Sequence, residues 1–151
     1  MELLAAIVMI NVGILAILLS LNSGMVTLRR SAEASTSAAI ADRQLERFRA
    51  IRFSSVFLDS ASLAGVDPTY TGDSAYSAAD VVSQTCSPLV AACTPSQTVT
   101  GPDGRTYRVD TYVSWTTPPG GAPVKQVTVV IRRPGDAKVL ARVLSTVGED
   151  F

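Results

Sequence analysis

An α+β fold, a long N-terminal α-helix packed on a small antiparallel β-sheet, is what this sequence predicts, and three features predict it. Residues 3–21 are an uncharged aliphatic block, residues 26–53 carry apolar positions at helical spacing, and the segment from Gln97 onward alternates with period two. Proline is absent before Pro68, so nothing interrupts a helix in the first part of the chain.

The block LLAAIVMINVGILAILLSL holds no charge and is relieved only by Asn11, Gly13 and Ser20. At about 1.5 Å per residue it matches the roughly 30 Å hydrocarbon core of a bilayer. The helix of a soluble core would show a polar face, and this block shows none. A removable secretory signal begins basic and has a shorter apolar region, whereas this sequence begins Met1-Glu2. Past Asn22, Ser23 and Gly24 the helical pattern continues. Ala34, Ala38, Ala41, Leu45 and Phe48 make one narrow apolar stripe, with Arg43, Glu46, Arg47 and Arg49 away from it. One helix is therefore predicted from near Leu3 to about Phe53, with Ala38, Ala41, Leu45 and Phe48 packing it on the sheet. Gly13 and Gly24 are its expected points of flexibility, each about 1 kcal/mol poorer than alanine in a helix interior.

Residues 54–95 are rich in Ser, Ala, Asp, Thr and Tyr and read as a long connection, with one short helix expected over 56–63. Beyond it, TYRVDTYVSW places Tyr107, Val109, Val113 and Trp115 on one face, and VKQVTVVIRR does the same for Val127, Val129 and Ile131. AKVLARVLSTV continues the pattern less cleanly. Gly101-Pro102-Asp103-Gly104 and Pro134-Gly135-Asp136 mark turns, and Pro118-Pro119-Gly120-Gly121 a longer loop. Three or four antiparallel strands follow. The expected organisation is a membrane and assembly half of the helix over 1–25, an amphipathic half over 26–53, and a variable loop plus sheet over 54–151 that forms one head with 26–53.

Cys86 and Cys93 are an even, closely spaced pair in a chain with an apolar N-terminal segment, which suggests a disulfide in an oxidising compartment; two buried free thiols are the alternative. The pair is too small a ligand set for zinc. The chain has no histidine, which removes the commonest general base and transition-metal ligand. Lys plus Arg equals Asp plus Glu at 13 each, so no net field invites nucleic acid. No phosphate or calcium loop is present, and Lys125 and Lys138 stand in no catalytic motif. The expectation is a chain that is not an enzyme and needs no cofactor and no metal. Trp115 with Tyr107 and Tyr112 reads as core or cross-strand pairing, with a binding surface as the alternative.

The stretch ELLAAIVMINVGILAILLSLNSGM, continuing into SAAIADRQLERFRAIRF, resembles the N-terminal helix of type IV pilins and of the pseudopilins of type II secretion, the prepilin-type N-terminal methylation domain. Glu2-Leu3-Leu4 is similar to the Glu-Leu-Leu of that family's mature N-terminus. Gln44-Leu45-Glu46 with Arg47 and Arg49 resembles the minor-pilin subgroup. Beyond residue 53 only the order of helix, variable loop and disulfide-bearing antiparallel sheet is similar. The resemblance implies a structural subunit of a pilus-like or pseudopilus filament, inserted in the bacterial inner membrane with its C-terminal head outside the cytoplasm. It implies polymerisation with other pilin subunits through the helix, after contact with membrane lipid, a prepilin peptidase and an assembly machinery. Glu2 looks like the family's glutamate, whose carboxylate would neutralise a neighbour's terminal amine in an apolar filament core; the alternative is a carboxylate idle at headgroup level. Arg29 and Arg30 follow the block and nothing basic precedes it, so a basic leader and processing site are expected upstream, with Met1 an internal methionine. A non-polymerising, single-pass anchored binding domain is the alternative function.

Overall fold

The computed structural model describes residues 2–88 and 90–149, apart from the side chains of residues 2–6 and 8. The class is α+β: one long N-terminal helix and a four-stranded antiparallel sheet. The chain divides into two compact units, Met1–Ala34 and Ser35–Phe151.

The described residues of the first unit are all helical, the beginning of α1 (Glu2–Arg49). Its side chains from Met9 to Leu28 are exposed on every side of the helix, as an aliphatic run without a polar face dictates. Arg47 and Arg49 close α1, where cations complement the carbonyl end of the helix dipole.

The second unit begins with residues 35–49 of α1. After a 3₁₀ turn (Phe53–Ser55) come β1 (Leu58–Asp59), α2 (Ser60–Ala64) and α3 (Pro68–Thr71). The short helix expected over 56–63 is thus a strand residue pair followed by a helix that starts later. Its start is set by Asp59, whose carboxylate accepts from the Ser62 amide (2.8 Å) and hydroxyl (2.6 Å). Asp67 caps α3 in the same way through the Tyr70 amide (3.0 Å), with Pro68 at the first helical position. β2 (Ser83–Gln84) pairs in parallel with β1.

The main sheet has the order β3 (Ser96–Thr100), β4 (Thr106–Thr116), β5 (Val124–Arg132) and β6 (Val139–Val147), each neighbour antiparallel. Gly104, at φ +72°, turns β3 into β4. Gly101 allows close approach: a Cβ there would meet Tyr107 at 2.8 Å and the Thr36 methyl at 2.9 Å. Past Asp110 the free edge of β4 is completed by other backbone, with the Thr111 amide donating to Pro95 O (2.7 Å) and the Val82 amide to Val113 O (2.8 Å).

Both faces of the sheet are covered. On one, Tyr107, Val109, Val113, Val127, Val129 and Ile131 pack with Ala41, Leu45 and Phe48 of α1 and with Val56 and Leu58. On the other, the segment around α3 covers Tyr112 and Val130, with Tyr70 stacked on Tyr112 at 4.3 Å. The Tyr70 hydroxyl donates to Thr111 O (2.6 Å) and that of Tyr112 to Tyr70 O (3.2 Å), so neither phenol is buried unsatisfied. Burial pushes both phenols well above their ordinary pKa. The connection expected over 54–95 therefore serves both faces: Val56 and Leu58 join the α1 side, and the segment around α3 is a second layer of the head.

Candidate functional site

The N-terminal part of α1 carries the largest exposed apolar surface. Met9, Leu19 and Leu28 are each 70% or more exposed, and Ile10, Val12, Ile17 and Leu18 more than half. α1 is the one helix among the described residues long and apolar enough to cross a membrane, and none of its most apolar stretch is buried; it is a candidate span. Two of its polar side chains are satisfied within the helix. Asn11 Nδ2 donates to Ile7 O (2.9 Å) and Thr27 Oγ1 to Ser23 O (3.1 Å), which removes most of the cost of carrying them into hydrocarbon. Gly13 and Gly24 are both helical, and a Cβ at either would meet open space. Glu2 opens α1, and its side chain lies outside the described residues.

Of the predicted packing stripe, Ala41, Leu45 and Phe48 are buried against the sheet, Ala38 is half-buried and Ala34 is exposed. The contact face also includes two polar residues that an apolar stripe omits, Ser37 and Gln44. Gln44 joins the helix to β3, to β4 and to the disulfide loop. Its Nε2 donates to Ala91 O (3.1 Å) and Thr111 Oγ1 (3.3 Å), and its Oε1 accepts from Gln97 Nε2 (3.2 Å) and Arg47 Nη1 (2.9 Å). A glutamine three residues from Ala41 and four from Phe48, on the buried arc, was the signal for it.

Cys86 and Cys93 form a disulfide with their Cα atoms 6.5 Å apart. The loop it closes is tied to Asp59 at both ends, the Cys86 amide donating to Asp59 Oδ1 (3.0 Å) and the Asp59 amide to Cys93 O (2.7 Å). The Ser62 hydroxyl first, then the Cys86 and Ser62 amides, hold the Asp59 carboxyl below the usual carboxylate range. A Cys86→Ser/Cys93→Ser variant is expected to lose about 2 kcal/mol of head stability, as the entropy of so short a closed loop implies. Hydrogen exchange should show amides of the 85–95 loop losing protection while β4 and β5 keep theirs; equal loss in both would refute a local clamp.

Three further clusters complete the head. Arg108, Arg132 and Arg142 interlock with Asp67, Asp73 and Asp110 across the second sheet face: Arg108 Nε to Asp110 at 2.8 Å, Arg142 to Asp73 at 2.8 Å, Arg108 to Asp67, and Arg132 to both Asp73 and Asp110. The Arg108 guanidinium holds the Asp67 carboxyl below its ordinary pKa. Asp73 is also lowered: burial works against it, and the Ala75 amide with Arg142 and Arg132 outweighs burial. Lys125 is buried, its ammonium donating to Phe53 O (2.8 Å) and lying 4.5 Å and 5.4 Å from the Phe53 and Trp115 ring centres. Burial lowers its pKa, against the pull of Glu149. Trp115, expected on the core face with Tyr107, is 44% exposed because it sits near the strand end, where Phe53 covers one edge at 5.9 Å. The solvent face of α1 carries an exposed ion pair, Arg49 to Glu46 at i,i+3. Among the described residues no group of three acidic or cysteine side chains could hold a metal ion.

No protein-family model, curated protein or solved structure matches this chain.

Proposed function

We propose that this chain is a structural subunit of a type IV pilus-like or pseudopilus filament, of the minor-pilin kind, and acts by assembly rather than catalysis. The observation that supports this reading is α1 itself. One helix runs from Glu2 to Arg49, apolar and exposed on all sides in its first part and built into the head's core in its last. A simple anchor needs only about twenty apolar residues and a linker. Here the element that carries the apolar run also supplies Ala41, Leu45 and Phe48 to the head's core. In this reading α1 first lies in the inner membrane, with the head outside the cytoplasm, where its disulfide is stable. Prepilin peptidase and an assembly machinery then pass the subunit to a periplasmic or surface filament, whose apolar core is made of such helices.

Glu2 supplies the directional contact: a carboxylate in apolar surroundings costs about 3 kcal/mol on insertion scales unless a partner amine meets it. Glu2→Ala is expected to leave membrane insertion and head folding unchanged and to lower incorporation into sheared filaments several-fold. Comparing filament and membrane fractions of the two variants tests this. Equal incorporation would mean that Glu2 is idle, and the chain would then be an anchored extracytoplasmic binding domain that does not polymerise.

A further inference from the structure

Between residues 39–47 of α1 and strand β3 lies a cavity of about 300 Å³, lined by apolar Ile40, Val99, Pro102 and Val109 and by two cations, Arg43 and Arg47. Among the described residues Arg43 has no charged partner. Arg47 donates to the neutral Gln44 Oε1 (2.9 Å). Like charges at i and i+4 disfavour the helix that carries them unless an opposite charge meets them. What such a groove accepts is an acidic side chain next to an apolar one.

The sequence holds one run of adjacent acidic residues, Glu149-Asp150, and an apolar residue, Phe151, follows it. Glu149, the described residue of that run, lies far from the groove of its own chain. Val147 pairs with Lys125 and Lys125 with Trp115, so Glu149 follows β6 at the Trp115 end of β4, where it lines a slot with Phe53 and Trp115. From Val109 to Trp115 strand β4 spans about 20 Å, while residues 148–151 extend about 14 Å at most.

We propose that the Arg43/Arg47 groove of one copy binds the Glu149-Asp150-Phe151 segment of a second copy. Groove and segment are different surfaces, so the contact is heterologous and repeats along a row of heads instead of closing a dimer. The proposal rests on the reading of the chain as a polymerising subunit.

The full chain in neutral detergent micelles, which cover the apolar helix, isolates the contact between heads. Sedimentation against concentration should show self-association that Arg43→Glu or Asp150→Arg alone weakens at least fivefold, and the chain carrying both should regain it. Arg43 is exposed, so its reversal leaves the core intact. Association unchanged by Arg43→Glu overturns the proposal. So does a loss that Asp150→Arg fails to reverse, which would assign the groove to another acidic partner or a lipid headgroup. Filament yield in cells is a separate readout: absent filaments with the micelle result intact would fail the pilus reading and leave the head contact standing.

Discussion

Asp110→Ala is expected to cost the head about 3–5 kcal/mol, the penalty for stripping one partner from a buried ion cluster. Asp110 is fully buried between Arg108 and Arg132 and also accepts from the Ser96 hydroxyl (2.6 Å). Without it three guanidinium groups share two carboxylates, and the Arg132 side chain, 3% exposed, keeps Asp73 as its one charged partner among the described residues. By contrast Glu46→Ala removes an exposed pair whose side chains are 64% and 57% accessible, worth under about 1 kcal/mol. Against a domain stability of about 5–15 kcal/mol, the Asp110 loss leaves the head marginal. Urea unfolding followed by the fluorescence of Trp115, the single tryptophan, measures it. A midpoint equal to wild type would show that the cluster is dispensable. The same cluster sets an acid limit. Asp67 and Asp73 have folded pKa values below their unfolded ones, so their contribution is complete above about pH 4 and drains away as pH falls below it.

Phe48→Ala should have an effect of similar size by a different mechanism. Phe48 is 1% exposed in the cluster with Leu45, Val109 and Val127, and truncating a buried phenylalanine costs about 3–5 kcal/mol in lost burial and residual cavity. Leu28→Ala is the control, since Leu28 is 70% exposed. The two variants should separate by several-fold in urea midpoint shift. Equal midpoints for Phe48→Ala and wild type would mean that residues 35–49 of α1 contribute nothing to the folding of the head.

The second layer of the head was invisible to pattern reading for a reason that Arg108, Asp110 and Arg132 make plain. They alternate with Val109 and Ile131 along β4 and β5, and alternation of charge with valine reads as a strand with one face in water. Their burial depends on Asp67 and Asp73, which lie some forty or more positions away in a stretch of weak periodicity. Local signals were nevertheless there. Asp59 ahead of Ser62, and Asp67-Pro68, are helix starts of ordinary kind, and they place α2 and α3. Gln44 was similarly hidden, because an amide on a buried arc is stable only if three separate elements supply its partners.

What the amino-acid order determined by itself was everything that depends on periodicity, composition and short spacing. That covers the long helix with its unrelieved apolar first part, the alternating strands with their glycine turns, the α+β class, and the nearness of Cys86 to Cys93. Tertiary structure alone decided which charges are buried, which face of the sheet carries a second layer, and that Arg43 and Arg47 flank an apolar groove at the opposite end of β4 from Glu149. The physical reason is range. Hydrophobic period and turn chemistry act between residues a few positions apart, whereas the desolvation and pairing of a charge depend on whatever the folded chain brings within a few ångströms of it.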